Sequence, residues 1–248
     1  MRLIQITDLH ISVEDDFPYT IDVRKNFLKV LRAAKALQPD HIILTGDLCF
    51  DDGDESIYLW IKKHIDRTKI PYSVISGNHD NSDILAKAFG VEQFLTDGEL
   101  YYAKKIGKKI CLFLDSSRGF HSIVQQKWLK RQMQSAKEDI VVFMHHPPFK
   151  VGVPFMDNKH ALQDMKAIQK IMHNYDHNVT VFCGHYHVDK TIHSKNVMLQ
   201  ITPSCFFQID QNAPEFKVDH HQIAFREIKF ENQYVSTTLK YFTGYKKT

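Results

Sequence analysis

Asp8 with His10, Asp47, Asn78 with His79 and Asp80, His145 with His146, and His185 with His187 are the side chains of this 248-residue chain whose types and spacing could do chemistry together. They offer carboxylate oxygens, imidazole nitrogens and one amide carbonyl, and no thiolate. Such donors suit Mn, Fe, Zn or Co at a catalytic centre rather than a thiolate-held structural zinc. There are too many for one ion and enough for two. His185 and His187 alternate, so from one loop they can address two neighbouring ions.

Each group follows an apolar run that reads as a strand. Leu3 to Thr7 precedes Asp8, and Ile42 to Thr45 precedes Gly46-Asp47. Tyr72 to Ile75 leads to Gly77-Asn78-His79-Asp80, Ile140 to Met144 to His145-His146-Pro147-Pro148, and Val179 to Cys183 to Gly184-His185-Tyr186-His187. Segments with helical spacing alternate with these strands: Val23, Phe27, Val30, Leu31 and Ala34, then Ile57, Trp60, Ile61 and Ile65, then Val124 to Ala136, then Ile168, Met172 and Tyr175. This is the pattern of largely parallel sheets with flanking helices, in which ligands bind beyond the C-terminal ends of the strands. Leu100 to Ile106 and Lys109 to Leu114 read as a central hairpin. Val197 to Ile201, Cys205 to Ile209, His221 to Phe230 and Tyr234 to Tyr241 read as later strands, the last two a hairpin around Glu231-Asn232-Gln233. One domain is expected over residues 1–248, with the strands from about residue 197 completing a second sheet.

Composition narrows the class. The apolar fraction of 43% and charged fraction of 25% are those of a globular protein large enough to fold without disulfides. Cys49, Cys111, Cys183 and Cys205 form no Cys-x-x-Cys pair and read as buried thiols. A net charge of +3 gives no footing for a nucleic acid polymer or an anionic membrane. No run approaches the length of a membrane span. The first strand begins at Leu3 and the first candidate ligand is Asp8, which leaves no room for a signal peptide and makes a cytoplasmic protein the expectation. The other histidines, His41, His160, His220 and His221 among them, have no partner pattern and read as surface or structural residues.

The series Asp8-x-His10, Gly46-Asp47, Gly77-Asn78-His79-Asp80, His145-His146-Pro147 and Gly184-His185-x-His187 resembles the calcineurin-like metallophosphoesterase superfamily. Within it, the short chain, Gly46-Asp47-Leu48 and His145-His146-Pro147-Pro148 are similar to class III cyclic nucleotide phosphodiesterases and bacterial glycerophosphodiesterases. The resemblance covers about residues 1–210. It implies a four-layer αββα sandwich, an α/β fold of two mixed sheets flanked by helices. It implies one metal on Asp8, His10, Asp47 and His187, and a second on Asp47, Asn78, His145 and His185, with Asp47 bridging. Relatives are often dimers, so a homodimer is left open.

Two ions about 3.5–4 Å apart can share a water, lower its pKa and present hydroxide for in-line attack on phosphorus. His79 is then expected on a phosphate or leaving oxygen, with Asp80 orienting its ring. Asn78 and His146 are expected near substrate, and the loop from Phe149 to Asp164, with Phe155, Met156 and Asp157, is expected to form a wall. Ser116, Ser117 and Arg118 are candidates for another wall. The expected substrate is a small phosphodiester such as a 3′,5′-cyclic nucleotide. Hydrolysis of a lipid-linked pyrophosphate would want an apolar cap, which no long apolar insertion between the motifs supplies, and a non-catalytic scaffold would not need every ligand kept.

Overall fold

Two mixed sheets pack face to face, with helices on their outer sides, forming an αββα sandwich. The computed structural model describes residues 1–231 and 234–247. The first sheet runs Tyr234–Thr243, Gln222–Glu231, Arg2–Ile6, His41–Thr45, Tyr72–Ile75. Its last three strands are parallel, joined by helices Val23–Ala36 and Glu55–Asp66. The second sheet runs Lys190–Ser194, Val197–Ile201, Val179–Cys183, Ile140–Phe143, Lys109–Phe113, Tyr102–Ile106. Helices Ile123–Ser135 and Met165–His173 make its crossovers. No helix of the described residues is long and apolar enough to cross a membrane.

Four helices start where their sequences supply a cap. The side chains of Asp22, Asp54, Asn81 and Ser122 each accept from backbone amides of the first turn, satisfying donors that the helix itself leaves unpaired. Between the sheets, Tyr102, Phe113, Phe143 and Phe182 stack across four neighbouring strands at 4.6, 5.3 and 5.5 Å. The Tyr102 hydroxyl both accepts from Val74 N and donates to Val74 O, tying this ladder to the first sheet. Nearer the site a polar seam crosses the core. Gln5 Nε2 donates to Thr45 Oγ1 and to the Cys183 carbonyl, Thr202 donates to Gln5 Oε1, and Arg226 donates to Thr202, Gln200 and Asp189. A buried network of this kind defines how one sheet registers on the other, because any slip leaves its members unsatisfied.

The C-terminal strands correct the sequence reading. Val197–Ile201 joins the second sheet, parallel to Val179–Cys183. The hairpin of Gln222–Glu231 and Tyr234–Thr243 joins the first sheet instead, with Leu3 opposite Ile228. Pairing there covers the open edge of Arg2–Ile6, whose backbone groups would otherwise be buried without partners. Asn232 and Gln233, expected in its turn, lie outside the described residues. Of the expected strand Cys205 to Ile209, only Gln208–Ile209 pairs, with Val218–His220. The expected loop after Pro148 contains a short helix, Pro154–Lys159.

Candidate metal centre

Five strands deliver their polar exits to one point between the sheets. Asp8 N donates to the Gly46 carbonyl and His10 N to the Asp47 carbonyl, each at 3.0 Å, binding the first two exits together. Both Asp8 oxygens accept from His185 N at 3.1 Å, which ties in the fifth exit from the opposite sheet. Close approach of backbone explains two glycines. A Cβ on Gly184 would overlap Thr7 Oγ1 and Asp8 Oδ2, and one on Gly77 would overlap Asp47. Asp8, His10, Asp47, His185 and His187 all have positive φ, between 45° and 67°. L-residues seldom adopt that region, and such strain concentrates where side chains must be aimed for function.

The imidazoles are aimed through their far nitrogens. His145 Nδ1 donates to the Thr45 carbonyl at 2.8 Å, His187 Nδ1 to the Phe207 carbonyl at 2.9 Å, and His185 Nε2 to the His160 carbonyl at 2.9 Å. Each bond fixes a proton on the far nitrogen and turns the other nitrogen inward, where a metal ion can displace any proton it carries. His187 Nε2 lies 3.2 Å from His10 Nε2 and 3.3 Å from Asp8 Oδ1. His145 Nε2 lies 3.2 Å from Asp47 Oδ2 yet has no hydrogen-bond partner among the described residues. Donor atoms fall into three groups, each within 4.8 Å: Asp8, His10 and His187; His10, Asp47 and His79; Asp47, His145 and His185. Asp47 and His10 each belong to two.

Electrostatics fit a cation. Burial drives His10 and His185 down to about 3, so both are neutral and able to ligate. Burial alone would raise Asp47, but His145 beside it reverses the sign and holds the carboxylate well below its ordinary value. Burial would likewise lower His145, and the Asp47 and Asp8 charges instead raise it to about 9. The buried carboxylates therefore demand positive charge at this point, which a proton on His145 supplies and which metal ions would supply more strongly.

A cavity of about 350 Å³ opens onto these groups. Asn78, exposed, and His79, half-buried, line it beside His10 and Asp47. The His79 amide donates to Asp47 Oδ1, while its ring meets His10 edge-on at 4.9 Å. Phe155 and Met156 form part of the wall, as the sequence reading expects of their loop. Asp157 turns away, accepting from the amides of Val151, Gly152 and Val153 and from the Tyr186 hydroxyl.

Three expectations are corrected. Asp80 does not orient His79. Its carboxylate points under the Asp47 loop, accepting from the amides of Gly77, Leu48 and Cys49 and from the Tyr58 hydroxyl. His146 does not line the cavity. It is buried with Nδ1 3.0 Å from Ser116 Oγ and its ring 4.0 Å from that of His185, behind the cavity wall. The stretch Ser116 to Arg118 does not line the cavity either; Arg118 donates to the Asp97 and Gly98 carbonyls. Nor do His220 and His221 line it. What the sequence reading lacks is the aromatic wall of Tyr19, Phe50, Phe206, Phe207 and Phe216, together with His160. The only available signals are an unpaired Phe between charged Glu215 and Lys217 and a Phe-Phe pair two residues beyond Ser204.

Comparison with known proteins agrees with this geometry. Residues 1–189 match the model of the calcineurin-like phosphoesterase family. A probable cyclic nucleotide phosphodiesterase of Fibrobacter succinogenes is 31% identical over 98% of this chain and 94% of its own. A probable glycerophosphodiester phosphodiesterase of Arcobacter nitrofigilis is 27% identical over 80% of this chain and 77% of its own. Among solved structures, a dimetal phosphatase from Danio rerio shares the fold with a TM-score of 0.69 at 12% identity, covering 99% of each chain. The chain belongs to the calcineurin-like phosphoesterase family of metal-dependent enzymes.

Proposed function

We propose that this protein is a two-metal phosphodiesterase that hydrolyses a small phosphodiester of the 3′,5′-cyclic nucleotide type. The observation that carries the reading is Asp47, whose oxygens stand between two clusters of inward-turned donors, Asp8, His10 and His187 on one side and His145 and His185 on the other. One ion is assigned to Asp8, His10, Asp47 and His187, the other to Asp47, Asn78, His145 and His185. Bound ions would supply Lewis acidity toward the phosphoryl oxygens and an activated water at neutral pH.

The chain's own residues do the rest. Asp47 holds both clusters at a common edge, and its second oxygen, bonded to the His79 amide, keeps the Asn78-His79 turn against the cavity. Asn78 adds a neutral ligand and no charge. His79 is assigned to the leaving or non-bridging oxygen, because it lines the cavity half-exposed and in edge contact with His10, whereas His10, His185 and His187 are buried. The diester reading draws support from the names of the two relatives, and the cyclic nucleotide reading from the more similar of them.

The test is an assay of metal-stripped protein reconstituted with manganese, against bis(p-nitrophenyl) phosphate, p-nitrophenyl phosphate and 3′,5′-cyclic AMP. Metal-dependent diester turnover that falls at least about a hundredfold in Asn78→Ala and Asp47→Asn is expected. Turnover confined to the monoester would overturn the diester reading.

A further inference from the structure

The aromatic wall forms a collar that begins and ends on candidate metal ligands. His10 lies 5.2 Å from Phe206, and Phe206 4.3 Å from Phe207. Phe207 lies 5.9 Å from Phe216, Phe216 5.7 Å from Phe155, and Phe155 5.0 Å from His160, whose ring is 6.5 Å from that of His185. Tyr19 closes the outer rim, 5.1 Å from Phe207 and 6.1 Å from Phe216. These are the separations at which aromatic rings attract one another edge-on or tilted, so the collar is a shaped surface.

Its outer members are costly to keep if they do nothing. Tyr19 is 53% and Phe216 42% exposed, although the cavity lies directly behind them. Tyr19 also has φ of 52° and its neighbour Thr20 of 61°, a conformation that bulky L-residues avoid. Such an outlier points to a constraint that ordinary packing does not explain.

The chemistry of the wall selects its occupant. Six carbocyclic aromatic residues line the cavity against two aliphatic ones, Met156 and Ile209, and no Lys or Arg does. A glycerol-type group would place hydroxyls against ring faces with few partners, and burying them unpaired is unfavourable. A flat heteroaromatic group loses little on leaving water and gains stacking on each ring it meets. At about 350 Å³ the cavity sits at the small end of ligand sites. Resting on the phosphodiesterase reading, we infer that Tyr19, Phe155, Phe207 and Phe216 are the specificity element of the site, clasping a planar aromatic substituent of the phosphoester whose phosphoryl group would lie at the ions the metal ligands hold.

The test is calorimetric binding of adenosine 5′-monophosphate and of glycerol 3-phosphate to the manganese-loaded protein. Both carry the same phosphate, so their difference reports the collar. The wild type is expected to bind the nucleotide at least about tenfold more tightly, and Tyr19→Ala and Phe216→Ala each to lose about tenfold for the nucleotide while moving glycerol 3-phosphate by less than about twofold. Tyr19→Phe should keep the preference, since it keeps the ring. The two variants are on exposed positions of separate segments, so both failing to fold would not be expected. Equal affinity of the wild type for the two compounds would overturn the collar and leave the metal site standing. Failure to bind either while metal-dependent diester turnover persists would overturn the collar alone, and absence of that turnover as well would overturn the phosphodiesterase reading with it.

Discussion

His10 Nε2 and His187 Nε2 point at each other across 3.2 Å inside the protein. The His187 proton is held on Nδ1 by the Phe207 carbonyl, and Asp8 Oδ1 stands 3.3 Å from the same Nε2. Among the described residues nothing holds the His10 proton on Nδ1, so in the metal-free protein a proton on His10 Nε2 can bridge to His187; a metal ion among the two nitrogens and the carboxylate would satisfy all three donors at once. Metal should therefore stabilise this protein. At a hundredfold excess over Kd the gain is about 2.7 kcal/mol, which for a chain of this size raises Tm by roughly 5–10 °C. Differential scanning of the stripped protein with and without manganese measures it, and His187→Ala should retain about one ion where the wild type retains about two. A Tm indifferent to saturating metal would remove the basis of the assignment.

Asp80 and His79 are neighbours in sequence with separate work. Asp80 gathers the amides of Gly77, Leu48 and Cys49 and the Tyr58 hydroxyl, and burial, then Asp47, pushes its pKa up to about 6. At pH 8 it is ionised and accepting. Asp80→Asn turns an amide N–H toward those donors and should cost about 2–3 kcal/mol in chemical denaturation. His79→Asn should leave stability within about 0.5 kcal/mol and lower kcat by roughly 10²–10⁴-fold. Equal loss of stability in the two variants would show that the division drawn between them is wrong.

Why the sequence misleads about Asp80 is geometric. The turn that bonds Asp80 N to the Gly77 carbonyl swings its carboxylate inward, beneath the loop that carries Asp47. Adjacency in sequence carries no information about that direction. His146 fails for a related reason, since successive residues leaving a strand point to opposite sides, and His145 already occupies the inner one. By contrast Asp8, Asp47, His145 and His185 were legible because each ends an apolar strand, and parallel strands bring such ends together. Of the collar only Phe155 was legible, through its loop. Tyr19, Phe50, Phe206 and Phe216 come from separate segments with no shared period, and only the packing of both sheets collects them. The destination of the last hairpin was equally hidden, because a strand pattern states which face is buried and not which sheet edge is open.

Gly184 touches both the fold and the metal site. A methyl group there would overlap Thr7 Oγ1 and Asp8 Oδ2. Gly184→Ala should cost about 1–3 kcal/mol through overpacking and weaken metal binding by about 10–100-fold as Asp8 is displaced. Thr7→Ala in the same chain removes one of the two obstructions, so the double variant should recover part of the stability, a non-additivity readable in a double-mutant cycle. Strict additivity would place the damage elsewhere than at Thr7.

His41 offers a titration well away from the metal ligands. Its ring is buried with Nε2 2.9 Å from Ser73 Oγ, and burial, with Lys104 second, lowers its pKa to about 4. In the unfolded chain the same group takes a proton near its ordinary value of about 6.5. Between those values the unfolded state holds more protons than the folded one, so stability is lost as pH falls from about 6.5 to 4 and the loss levels off below. The contribution is on the order of 1–3 kcal/mol. Denaturant midpoints of the metal-free wild type and of His41→Gln, taken from pH 7 to pH 4, isolate it: the difference between the two should shift toward the variant by that amount within this window. A difference that stays constant with pH would mean that His41 protonates as readily in the folded protein as in the unfolded chain.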